Sequence, residues 1–86
     1  MARNIQEGTT TCGKTAEPEI LLQLGVMYAT GRDCEIDHVA AHKWLNIAAI
    51  RGSDRAAQLR GKLAARMSKA EIAKALRQAR EWMTMH

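Results

Sequence analysis

The chain has 86 residues, a formal net charge of +4, 47% hydrophobic residues and two cysteines. That length is enough for one domain, and no apolar run approaches the roughly 20 residues that cross a bilayer. The first residues lack the apolar centre of a secretory signal, so we expect a cytoplasmic protein with reduced thiols and no membrane contact. The apolar residues are mainly Ala, Leu, Ile and Met, with no Phe, which favours an all-α fold.

The first helix is expected to follow a polar N-terminal segment. Residues 1–16 show no apolar period, so we predict a disordered or loosely attached arm there and a helical domain over residues 17–86. The Glu-Pro-Glu stretch at residues 17–19 suits a first helical turn. One buried stripe follows at helical spacing and consists of Ile20, Leu21, Leu24, Met27 and Tyr28. Gly31 is placed to end this helix in a left-handed conformation.

Capping residues divide the rest of the chain into three more helices. Asp37 can cap a second helix, which Gly52 ends, and Ser53 or Asp54 opens a third. The apolar face of the second helix comprises Ala41, Trp44, Leu45 and Ala48, with Ala40, Ile47 and Ala49 beside it. The stripe of the third helix comprises Ala56, Leu59, Leu63 and Met67.

The fourth helix begins with a capping box. Ser68 and Glu71 have the Ser-x-x-Glu spacing in which each side chain accepts from the other residue's backbone N–H. One face of this helix comprises Ile72, Ala75, Leu76, Ala79 and Met83, with Trp82 at its edge. Four helices joined by short loops favour antiparallel neighbours.

Gly25 lies inside the first helix, where glycine costs about 1 kcal/mol relative to alanine. We therefore expect the second helix to cross close to Gly25. Trp44 is expected to fill the wider space beside Gly25 and Tyr28.

One repeat unit is visible over residues 20–56. Its characteristic residues, in chain order, are Leu24, Gly25, Tyr28, Gly31, Asp37, Ala41, Trp44, Ala48, Ala49, Gly52 and Ala56. With these residues the unit resembles the Sel-one-like repeat family, a relative of the tetratricopeptide repeats. Asp33 and Cys34 stand where that family usually has Gly and Val, but Asp tolerates a left-handed backbone, and Cys is a small hydrophobe. The resemblance implies a short α-solenoid that assembles protein complexes and has no catalytic residue, with residues 54–84 as a capping helix pair.

We accordingly predict a protein-interaction module or adaptor that binds a peptide or a helix of another protein. Its candidate anchors are polar or aromatic residues expected to be exposed between the two helix pairs. These candidates are Tyr28, His42, Trp44 and Asn46. A solenoid this short does not bury its apolar faces easily, so we also expect self-association as a homodimer. The adaptable apolar contacts for it would come from Met67, Trp82, Met83 and Met85.

Three features resemble chemical sites without completing one. His38 and His42 are four residues apart and could bind zinc with a nearby aspartate, but exposed surface histidines are the commoner explanation. Cys34 lies near His38 without a third group to orient the pair. Residues 8–15, GTTTCGKT, have the spacing of a phosphate loop but no strand before them. We predict no enzymatic activity, no bound metal and no cofactor.

The uneven distribution of charge along the chain indicates an alternative function. Residues 1–50 contain four Lys/Arg and six Asp/Glu, whereas residues 51–86 contain nine and three. The basic residues of the second half are Arg51, Arg55, Arg60, Lys62, Arg66, Lys69, Lys74, Arg77 and Arg80. They allow a basic accessory factor that binds RNA, DNA or another anionic partner. We rank this below the interaction module, because few aromatic groups accompany the charges and a solvated helix surface explains them as well.

Overall fold

The computed structural model describes the backbone of residues 3–85 and the side chains of residues 17–85. Its described part is all-helical and consists of α1 (Arg3–Thr30), α2 (His38–Ile50), α3 (Asp54–Ala64) and α4 (Lys69–Met85). The prediction of an all-α fold of about four helices is confirmed. None of the helices in this part of the chain has the length and apolar character that a membrane crossing requires.

The first helix begins earlier than its capping signals indicate. The sequence predicts a start at residues 17–19, whereas α1 begins at Arg3 and contains Pro18. The fixed φ of proline is compatible with a helix. Proline is most common in the first turn because, further along, it lacks the N–H for a helical hydrogen bond and its ring crowds the preceding turn. The predicted arm at residues 1–16 lies outside the residues whose side chains are described, so its attachment stays a prediction.

The turn from α1 to α2 uses two residues in the left-handed region. Gly31 has φ 79° and ends α1, as expected, and Asp33 has φ 64°. The expectation that Asp33 tolerates this conformation in place of a glycine is confirmed. Asp37 then caps α2, because its side chain accepts a hydrogen bond from the backbone N–H of Ala40 at 3.0 Å. The N–H of Asp37 itself donates to the carbonyl of Tyr28 at 3.0 Å, which fixes the entry of α2 beside the end of α1.

The other caps are also those that the sequence indicates. Ser53 caps α3 by accepting from the N–H of Ala56 at 3.0 Å. Before α4, the N–H of Ser68 donates to Glu71 Oε1 at 2.8 Å, and the N–H of Glu71 donates to Ser68 Oγ at 3.1 Å. Each cap satisfies backbone donors that a helix start leaves unpaired, so the helix boundaries after residue 30 follow from local sequence.

The second helix is the centre of the fold, since α1, α3 and α4 all pack against it. Its residues Ala41, Ile47 and Ala48 have no exposed surface. The remaining buried apolar residues are Leu21, Leu22, Leu45, Ala56, Leu63, Ala75 and Ala79. Because half of these ten buried residues are alanines, the helices can approach one another closely.

Gly25 allows the closest approach, between α1 and α2. A Cβ atom on Gly25 would lie 2.6 Å from Leu45 Cδ2 and 3.2 Å from the backbone nitrogen of Leu45. The predicted close crossing is therefore present, but the side chain beside Gly25 is Leu45. Trp44, one residue earlier, points about 100° away on the helix and its ring contacts Trp82 of α4, with centroids 5.3 Å apart.

Two predicted stripes differ from the buried faces. Ile20 is 59% exposed, whereas Leu22, outside the predicted stripe, is 4% exposed. The buried positions Leu21, Leu22 and Gly25 lie on one side of α1, which is the side that meets α2. On α4, Leu76 belongs to the predicted apolar face but is 39% exposed. Periodicity identified an apolar face on each helix, but its exact centre depends on the neighbouring helix.

Candidate functional site

The predicted anchor residues do not form an exposed surface. Tyr28 and Trp44 are half-buried and pack against the core. His42 is 3% exposed and Asn46 is 8% exposed. The expectation that His42 and Asn46 stay accessible between the helix pairs is wrong, because α2 is covered by helices on three sides and has little face left for solvent.

His42 and Asn46 belong instead to a buried polar cluster with Arg60 of α3. Arg60 donates a hydrogen bond from Nη1 to Asn46 Oδ1 at 2.6 Å, which links α2 to α3. Among the described side chains, His42 Nδ1 is buried without a hydrogen-bond partner. Burial lowers the pKa of His42, and the positive charge of Arg60 lowers that pKa further. The cluster therefore contains a neutral histidine at neutral pH.

Trp44 lies in a second internal cluster, which ties three helices together. Its ring meets Trp82 of α4 edge to face, and the Lys43 amino nitrogen lies 4.2 Å from its centroid. Arg51 lies over the Trp82 ring at 5.7 Å and pairs with Glu17 of α1 at 2.5 Å. These contacts give Trp44 a structural role at the junction of α1, α2 and α4.

The residues considered for chemistry do not assemble into a site in the described part of the chain. No group of three or more His, Cys, Asp or Glu residues able to hold a metal ion occurs among them. Cys34 is half-buried, and its Sγ lies 3.5 Å from the carbonyl oxygen of Met27. The partial burial of Cys34, and not this polar contact, is what suits the small hydrophobe expected at that position. The phosphate-loop spacing at residues 8–15 lies outside the side chains that the structure describes.

A groove opens between α1 and α3, and α2 forms its floor. Its narrow part has a volume of about 210 Å³. A wider depression of about 500 Å³ continues from it past the end of α3. The narrow part is lined by Val26, Ala29, Thr30, Leu45, Arg55, Leu59 and Leu63. The wider part is lined by Ala29, His38, Lys62, Leu63, Ala65 and Arg66. Because both parts share Ala29 and Leu63, we treat them as one feature, the α1–α3 groove.

The α1–α3 groove combines an apolar interior with a basic rim. The half-buried residues Val26, Ala29 and Leu59 supply accessible apolar surface, with the buried Leu45 and Leu63 beneath them. The exposed charged residues that line the groove are Arg55, Lys62 and Arg66. None of the lining residues that the structure describes carries a carboxylate. A concave surface with apolar walls and a few charged groups is the usual form of a binding site.

Sequence reasoning missed most of this groove. Val26, Ala29 and Thr30 have the i, i+3, i+4 spacing of a second face on α1, which no predicted stripe included. Leu59 and Leu63 were assigned to the core. Leu63 is 9% exposed, but Leu59 is only half-buried. The available signal was the small-residue face of α1 together with the leucines of α3, and nothing in the sequence places these two faces side by side.

Comparisons with known proteins supply no relative for this chain. No protein-family model, no curated protein and no solved structure matches it significantly. The resemblance to Sel-one-like repeats therefore rests on the residues of the 20–56 unit and stays a prediction.

Proposed function

We propose that this chain is a protein-interaction module or adaptor of the Sel-one-like repeat type, and that it binds a peptide or a helix of another protein in the α1–α3 groove. No catalytic activity is part of this proposal. The observation that carries it is the groove itself, whose apolar walls the chain's own described side chains leave open to solvent. Apolar concave surfaces on small domains are typical sites of partner binding.

The dimensions of the groove suit a short segment. α3 has 11 residues, which corresponds to about 16 Å at roughly 1.5 Å per residue. A wall of that length accommodates about three turns of a helix or about five residues of extended chain. Helices that dock in grooves place apolar anchors at positions i, i+3, i+4 and i+7, which fit within about three turns.

The proposal can be tested at Thr30, which lines the groove and is exposed, so that a larger side chain there does not disturb the core. Peptides would be selected from a random displayed library against the immobilised full chain. We expect T30Y to weaken binding of the selected peptides by about tenfold, because the tyrosine ring occupies the narrow part.

Gln23→Tyr is the matched control, since Gln23 is exposed on the same helix and does not line the groove. This variant should bind the peptides as the unmodified chain does. Peptides that bind T30Y and the unmodified chain equally well would place the binding surface elsewhere. A selection that enriches no peptide would contradict the interaction role.

A basic accessory factor for RNA, DNA or another anionic partner is the second candidate. One observation favours it: the basic residues of α3, α4 and their linker are mostly exposed. The exposed ones are Arg55, Lys62, Arg66, Lys69, Lys74, Arg77 and Arg80. The described aromatic residues Tyr28, Trp44 and Trp82 are instead half-buried against the core, where they offer little surface for base stacking. A filter-binding titration across salt concentrations tests this candidate, and absence of affinity at low salt would remove it.

Self-association as a homodimer is also retained as a proposal. Of the residues predicted to mediate it, Met85 is 74% exposed. Met67, Trp82 and Met83 are half-buried and contact the core. Light scattering of the purified chain over a range of concentrations measures the oligomeric state directly. M85E should shift that state towards the monomer, because it places a charge in the contact.

A further inference from the structure

We infer that the segment bound in the α1–α3 groove has an apolar centre flanked by Asp or Glu side chains. This inference rests on the proposed function and names the chemistry of its partner. It follows from the arrangement of charge around the groove, from the absence of partners for that charge among the described side chains, and from the spacing of Arg55 and Lys62 along α3.

The described charged residues around the groove all carry the same sign of charge. Arg55 borders the narrow part, and Lys62 and Arg66 border the wider part. Among side chains 17–85, no lining residue carries a carboxylate. A partner segment with basic residues would meet like charges at this rim, whereas acidic residues would meet opposite charges without competition from the lining.

The basic residues of the rim have no ionic or hydrogen-bonded partner among side chains 17–85. Arg55, Lys62 and Arg66 are exposed and form no ion pair or hydrogen bond through their side chains with the described residues. Arg51 and Arg60 of the same half behave differently: Arg51 pairs with Glu17, and Arg60 donates to Asn46. Within the described part of the chain, the three rim cations are therefore open to a partner.

The rim cations Arg55 and Lys62 and the apolar wall share one side of α3. The groove-lining positions of α3 are Arg55, Leu59, Lys62 and Leu63. They follow the helical spacing i, i+4, i+7 and i+8, which brings them along one stripe. Arg66 lies in the turn after α3 and borders the wider part of the groove. Residues 55 and 62 are seven positions apart, or about 10 Å along the helix axis. We expect the acidic residues of the partner to be separated by a similar distance, with apolar residues between them.

An experiment with two charge-reversal variants tests this inference. R55E/K62E/R66E reverses the rim, and K74E/R77E/R80E makes the same change in charge on α4, whose residues do not line the groove. All six positions are exposed, so both variants should keep their helical circular dichroism. The probe is a random library of short peptides displayed on phage and selected against each full-length chain.

The unmodified chain should select peptides in which Asp or Glu flank Leu, Ile, Val, Met or Phe. The rim variant should lose about tenfold in affinity for those peptides and should itself select peptides with Lys or Arg at the flanking positions. The α4 variant should bind the acidic peptides within about twofold of the unmodified chain.

Other outcomes overturn the inference in distinguishable ways. Peptides without acidic residues that bind the rim variant normally, but are blocked by T30Y, would refute the charge inference and leave the proposed groove function intact. Peptides insensitive to T30Y would refute the groove function itself. Equal losses in both charge variants would show general attraction of anions. Binding of a single-stranded oligonucleotide as tightly as the peptides, with the same sensitivity to the rim variant, would assign the rim to nucleic acid instead.

Discussion

The α1–α2 pair and the α3–α4 pair of this chain are held together in different ways. α1 and α2 pack directly on each other, with Gly25 against Leu45 and with the Glu17–Arg51 pair near one end of their contact. α3 and α4 each pack mainly on α2. The second pair therefore depends on the first for its position.

The two pairs also differ in surface. The basic excess of the chain lies in residues 51–86, and much of it is exposed on α3 and α4. The first pair supplies most of the described buried residues, whereas α3 and the turn after it supply one wall of the groove and the described cations of its rim. This contrast indicates a stable helical hairpin that supports a more solvent-exposed, charged pair.

The largest effect is expected from removing the leucine at the centre of the first pair. L45A should destabilise the fold by about 2–5 kcal/mol, because Leu45 is 2% exposed and its loss leaves a cavity against Gly25. L76A makes the same chemical change on α4, where Leu76 is 39% exposed, and should cost less than about 1.5 kcal/mol. Urea unfolding followed by circular dichroism measures both. Equal costs would contradict the contrast between the pairs.

The second comparison is between glycine-to-alanine changes in α1 and in α3. G25A should destabilise by about 1–3 kcal/mol, because the new Cβ would meet Leu45 Cδ2 at 2.6 Å, although alanine favours a helix. Gly61 lies inside α3 and has no atom within 4 Å of a Cβ position. G61A should therefore stabilise the protein by about 0.5–1 kcal/mol. Opposite signs in the thermal unfolding midpoints are the expected result, and a stabilising G25A would refute the close crossing.

The capping box before α4 tests whether α4 can unfold separately from α1 and α2. S68A should cost about 1 kcal/mol, since the N–H of Glu71 loses its acceptor. The loss should be local, because α4 has few buried residues, namely Ala75 and Ala79. Amide hydrogen exchange should show faster exchange in α4 while α1 and α2 keep their protection. Uniform acceleration over all helices would mean that α4 unfolds only with the rest of the chain.

The smallest effect on stability at neutral pH is expected from the protonation of His42, because this protonation changes the free energy of unfolding only on acidification. The pKa of His42 is lowered in the folded state by burial and by Arg60, relative to about 6.5 in the unfolded chain. The unfolded state therefore binds the proton more tightly, and the free energy of unfolding should fall as the pH drops below about 6.5.

Replacing His42 by leucine should flatten this acid-dependent loss in urea unfolding measured from neutral to acidic pH. His38 is the other histidine of α2, and H38L is the matched control that should keep the loss. An unchanged pH profile in H42L would remove His42 as its source.

Local sequence was sufficient for the helix boundaries after residue 30 and for the all-α fold. Gly31, Asp37, Ser53 and the Ser68–Glu71 box occur where the sequence places them. Each involves backbone and side-chain atoms within three or four residues of one another. Such contacts do not depend on what the rest of the chain does.

The tertiary arrangement was needed for everything that depends on which helix lies beside which. Position within α2 could not show that His42 and Asn46 are buried, since three neighbouring helices cover α2. Nor could it choose Leu45 over Trp44 as the neighbour of Gly25, because the two differ by one step of about 100°. The α1–α3 groove joins faces about 30 residues apart in the chain, and helical periodicity contains no information about such distant pairings.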